Sequence, residues 1–163
     1  MIRASFVSFL LLMAGIAASG QAPQSKPNLS GTWVFDSQKS ALKVPGPSAM
    51  TLQIQQSDPK ISFLRTQTYG DQSFTWKLEA NSDDQKDVVD TTGGLTTNSR
   101  VYWQGNALVV DQKITASDGT KVDELVTYTL DDNFNTLQAV ERQTAVGGKG
   151  ATVNKWVYDK KVN

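Results

Sequence analysis

Residues 52–78 read LQIQQSDPKISFLRTQTYGDQSFTWKL. Three runs of alternating apolar and polar side chains are separated by two turn signals, Asp58-Pro59 and Gly70-Asp71. Period-two alternation marks a strand with one buried face, and Pro, Gly and Asp supply the backbone conformations of tight reversals. Closing the first turn on Ser57 and Lys60 sets Ile54 opposite Phe63, Leu52 opposite Arg65 and Met50 opposite Gln67. Closing the second on Tyr69 and Gln72 sets Arg65 opposite Trp76 and Phe63 opposite Leu78. Both hairpins then share one face, apolar except at Arg65 and Gln67.

The same rhythm continues downstream. Leu108, Val110 and Ile114 alternate with polar neighbours, as do Val122, Val126, Tyr128 and Leu130. A turn at Gly105-Asn106 sets Trp103 against Leu108 and Val101 against Val110. A loop at Ser117 to Gly119 sets Val110 against Val126 and Leu108 against Tyr128. Turn chemistry and hydrophobic pattern agree at each hairpin, which predicts an all-β chain: an antiparallel up-and-down meander. Closure into a barrel of about eight to ten strands, the first at Gly31 to Phe35, removes most raw sheet edges. Ala41 to Ser48, with Pro45 and Pro47, reads as a loop, and polar Asn81 to Gly94 as a weak edge strand or lid.

The inner face carries Arg65, Gln67, Ser99, Gln112 and Glu124 among its apolar residues. In the next hairpin a three-residue loop at Asp132 to Phe134 sets Glu124 opposite Arg142, and a four-residue loop sets it opposite Glu141. Like charges directly opposite destabilise, so the Glu124–Arg142 register is favoured, with Phe134 placed where a left-handed residue is often wanted. Gln112, Glu124 and Arg142 then form a polar layer, and Arg65 can lie on the Trp76 ring. Such a layer either holds the barrel together as a paired structural cluster or orients the polar head of a ligand in an apolar cavity. The candidate ligand-binding residues are Arg65, Trp76, Gln112, Glu124, Tyr128 and Arg142. Two inward guanidiniums against one inward carboxylate favour an acidic head, with a tail along Ile54, Phe63, Val110 and Val126.

Residues 1–20, MIRASFVSFLLLMAGIAASG, have one positive charge, an apolar run and small residues at the end. They read as a secretory signal peptide, too short in its apolar run for a comfortable membrane span. Residues 21–28 follow as a flexible lead-in, and 29–163 form the barrel domain. Export points to the periplasm or the extracellular space. Without Arg3 the chain has 15 basic and 16 acidic side chains, so no positive field recruits nucleic acid or an anionic membrane. The chain has no Cys and no His, which removes disulfides, the commonest general base and the usual zinc and haem ligands. No metal or other cofactor is expected, and Asn81 to Asp87 lacks the glycine and terminal Glu of a calcium loop.

Leu29-Ser30-Gly31-Thr32-Trp33 resembles the Gly-x-Trp signature that opens the first strand of lipocalins and their calycin relatives. The resemblance implies a tight approach to the barrel at Gly31, a plug at its closed end from Trp33, and a basic side chain of the last strand packed on that Trp, for which Lys155 is the candidate. It also implies a barrel that binds a small apolar or amphipathic molecule, as a monomer. The alternatives are a filled, non-catalytic interaction protein of the cell envelope, an enzyme using Glu124, Tyr128 or Arg142, and an outer-membrane barrel. No nucleophile–base arrangement supports the enzyme. The ending WVYDKKVN lacks the terminal aromatic and girdles of a membrane barrel.

Overall fold

The computed structural model describes residues 26–162; the expected signal peptide lies outside them. Ten strands follow in chain order: β1 (Gly31–Phe35), β2 (Ala49–Ser57), β3 (Lys60–Tyr69), β4 (Gln72–Asn81), β5 (Val88–Thr92), β6 (Leu95–Gln104), β7 (Ala107–Ala116), β8 (Lys121–Leu130), β9 (Thr136–Ala145) and β10 (Thr152–Lys160). All pair antiparallel, in the order β4-β3-β2-β1-β10-β9-β8-β7-β6-β5. Pairing of β1 with β10 joins the chain's start to its end and rolls the sheet into a nearly closed barrel. The seam lies between β4 and β5, which stand at opposite ends of the sheet order. A bridge between Asp83 and Tyr102 spans it at one end.

The registers read from the turns are the observed ones. Ser57 pairs Lys60 and Leu52 pairs Arg65. Tyr69 pairs Gln72 and Arg65 pairs Trp76. Val101 pairs Val110, and Val110 pairs Val126. One hairpin differs. Glu124 pairs Gln143, and Arg142 pairs Leu125. The cause is the Asp131 side chain, whose Oδ1 accepts the backbone N–H groups of Asn135 at 2.9 Å and Thr136 at 3.0 Å. This cap closes the hairpin on Asp131 and Thr136, one residue beyond the expected loop, and Phe134 takes the left-handed conformation at φ 58°. A one-residue slip exchanges the two faces of a strand. Arg142 therefore lies outside and exposed, and Glu141 lies inside and buried.

The two ends of the barrel differ. At one, Leu29, Trp33, Ile54, Ile61, Val101, Leu108 and Leu137 pack into a closed floor. Trp33 is 0% exposed and donates its Nε1–H to the Leu29 carbonyl at 3.0 Å. Gly31 is required here: its φ is +151°, and an added Cβ would sit 3.4 Å from the Lys160 side chain. That lysine, not Lys155, stacks on Trp33, because Trp33 and Lys160 are register partners and Lys155 is exposed on the outer face. The lead-in is tied down next to this floor, where Gln56 bonds the Leu29 N–H and the Pro27 carbonyl. At the other end the inward residues Gln67, Phe74, Thr97, Ile114 and Val122 are partly or well exposed, so this end is an open mouth. The 36–48 loop patches the wall beside it, through an Ala41–Lys155 bridge and a Lys43 N–H bond to Asn154.

Candidate functional site

The polar layer lies between the packed floor and the mouth. From β3, Arg65 projects inward and its guanidinium lies 5.1 Å from the centre of the Trp76 ring on β4. Its Nε is buried with no hydrogen-bond partner. On the far wall, β7 and β6 contribute Gln112, whose Nε2 donates to Ser99 Oγ at 2.7 Å. β8 contributes Glu124, 8% exposed, which accepts from Gln143 Nε2 on β9 at 2.6 Å. β9 also contributes Glu141, 6% exposed. Its Oε2 accepts from Asn154 Nδ2 at 2.8 Å and Trp156 Nε1 at 3.0 Å, both on β10.

Glu124 and Glu141 lie diagonally across the β8–β9 pair, and both are buried. Two buried carboxyls on neighbouring strands disfavour one another's charged form. Burial raises the Glu124 carboxyl above the ordinary range, the Gln143 bond opposes this, and the Glu141 charge adds to it. Tyr128 and Tyr158 line the same space, and burial pushes the Tyr128 hydroxyl up to about 12 and Tyr158 up as well. The Arg65 charge acts on Glu124 and on both tyrosines. Among the described residues Arg65 makes no ion pair with either glutamate.

Five of the six residues read from the sequence share this interior: Arg65, Trp76, Gln112, Glu124 and Tyr128 face inward. Arg142 does not. Sequence reasoning missed Glu141, Asn154, Gln143 and Trp156. The run Leu137-x-Ala139-x-Glu141-x-Gln143 carried the correct parity, since it continues the apolar face of Leu137 and Ala139.

Below the layer the interior is filled, with Phe63 stacked on Tyr128 across the barrel at 5.5 Å between ring centres. Beside it, the β4–β5 seam opens into a cleft of about 460 Å³ that Trp76, Leu78 and Val88 line from within. A second cleft of about 550 Å³, lined by Gln56, Lys60, Ile61 and Lys86, lies toward the closed end. It is larger but contains no residue of the polar layer.

The sequence matches no protein-family model, and no curated protein is similar to it. Its fold is similar to solved structures. Secretory abundant heat soluble protein 4 from Ramazzottius varieornatus superposes with a TM-score of 0.55 at 15% identity, covering 87% of this chain and all of that one. A second secretory abundant heat soluble protein from that organism gives 0.59 at 11%, covering 86% of this chain and all of that one. The fluorescent protein UnaG gives 0.53 at 19%, covering 81% of this chain and 96% of that one. With the Gly31-x-Trp33 floor, the Lys160 stack and ten meandering strands, the chain has a lipocalin-like barrel fold, similar to that of these proteins.

Proposed function

We propose that this is an exported barrel that binds a small amphipathic molecule at its polar layer, through the mouth. The supporting observation is the layer itself. It leaves the Arg65 Nε–H buried without an acceptor, a group that costs about 1–3 kcal/mol when unsatisfied. Structural clusters are normally fully paired, whereas a binding site keeps capacity for its ligand. Similarity to secreted proteins and the leader-like residues 1–20 support export. The test is purification of the mature protein from its native host, mass spectrometry of co-purifying small molecules, and titration with a fluorescent alkyl probe on wild type and Arg65→Ala. Saturable binding weakened by the substitution is expected. Neither co-purification nor saturable binding would leave a filled interaction protein, the reading favoured by the Phe63–Tyr128 stack across the interior.

A further inference from the structure

The charge balance of the interior identifies the head group. An acidic head was attractive with two guanidiniums facing one carboxylate. The interior holds the reverse: one guanidinium, Arg65, and two carboxyls, Glu124 and Glu141. Arg65 can balance only one of the two carboxyls. A ligand carboxylate would add a negative charge with no inward cation left to balance it, which is costly in a buried space. The hydrogen-bond geometry points the same way. Glu141 Oε2 is taken by Asn154 and Trp156, and Glu124 Oε1 by Gln143. The second oxygens, Glu124 Oε2 and Glu141 Oε1, take none of these donors and leave a place for one. Arg65 does not fill that place, because it is held on the opposite wall over Trp76. A group with several donors and a positive charge fits it.

We propose that the interior site takes an amphipathic primary amine, with its ammonium between Glu124 and Glu141 and its apolar chain running past Trp76, Ile114 and Val122 to the mouth. This rests on the ligand-binding reading above and deepens it. In water near neutrality the amine arrives as ammonium. Below the pH at which Glu124 ionises, the step is R–NH₃⁺ + Glu124–COOH → R–NH₃⁺···⁻OOC–Glu124 + H⁺, with the displaced proton released to solvent. The charge inside is unchanged, with two cations facing two carboxylates. The other titratable groups facing the pair are Arg65 on β3, Tyr128 on β8 and Tyr158 on β10, and the tyrosines remain neutral throughout.

The test uses dodecylamine, dodecanol and dodecanoate below their micelle concentrations, titrated calorimetrically into the mature protein from about pH 5 to 8. Dodecylamine should bind at least about tenfold tighter than either of the others, the ratio that one charge-assisted hydrogen bond supplies. Its affinity should rise with pH as Glu124 gives up its proton, and buffers of different ionisation enthalpy should reveal proton release. Glu124→Gln should erase the preference while leaving dodecanol binding in place, and Arg142→Ala should change nothing. If Glu124→Gln fails to fold, the wild-type proton release decides alone. Dodecanoate binding tightest, with proton uptake and loss in Arg65→Ala, would overturn the amine and keep the binding function. No binding of any of the three would overturn both.

Discussion

The Lys160 ammonium lies 5.4 Å from the centre of the Trp33 ring, across the register pair where first and last strands meet. The contact lies at the floor of the barrel, where Leu29, Leu52 and Leu137 are buried. Trp33→Ala removes a fully buried indole together with its bond to Leu29, and should cost about 3–5 kcal/mol in urea unfolding. Lys160→Ala removes an exposed cation–π partner and should cost about 0.5–1 kcal/mol. Unchanged unfolding of the tryptophan variant would show that the floor does not hold the barrel closed.

Arg142 and Glu141 are adjacent in sequence but lie on opposite faces of β9, and their variants should separate accordingly. Arg142→Ala should shift stability by no more than about 0.5 kcal/mol, as expected for an exposed position. Glu141→Ala leaves Asn154 Nδ2 and Trp156 Nε1 buried without an acceptor and should cost about 1–3 kcal/mol for each stranded group. Equal effects in thermal unfolding would contradict the observed register.

That pair also marks where the sequence stopped being legible. Hairpins closed by Asp58-Pro59, Gly70-Asp71 and Gly105-Asn106 have two-residue turns, so turn chemistry and alternation each fix the register independently. The Asp131 hairpin turns on a side chain that bonds two backbone N–H groups, and residue spacing alone does not reveal which ones. The rule against like charges facing one another also misled. Glu124 and Glu141 avoid direct opposition by lying diagonally on β8 and β9. The lysine on Trp33 was missed for a different reason: the register between the chain's two ends depends on barrel closure, which no local pattern encodes.

Phe134 holds a left-handed backbone at φ 58° with its ring largely exposed. A residue with a Cβ is strained there by about 1–2 kcal/mol, and Asn tolerates the conformation better. Phe134→Asn should therefore stabilise the protein by about 0.5–1 kcal/mol in chemical denaturation. A loss of stability would mean that the exposed ring makes a contact worth more than the backbone strain.

Glu124 should give the protein a pH dependence of unusual sign. Its folded-state carboxyl titrates above the ordinary value of 4.5, chiefly because it is buried. Between that value and the raised one, the folded state binds more protons than the unfolded state, so stability falls as pH rises through the window and is level on either side. Asp36, Asp87, Asp118, Asp131 and Glu79 act oppositely. Hydrogen bonds from backbone N–H groups, Lys77 or Arg100 hold them below the ordinary range, so their contribution is lost as pH falls further. Stability should accordingly peak near the ordinary carboxylate range and decline toward neutrality. Glu124→Gln keeps the bond from Gln143 and cannot ionise, so it should abolish the decline on the neutral side and leave the acid limb untouched. Urea midpoints for both proteins across pH measure the difference directly, and parallel profiles would show that Glu124 holds no extra proton in the folded barrel.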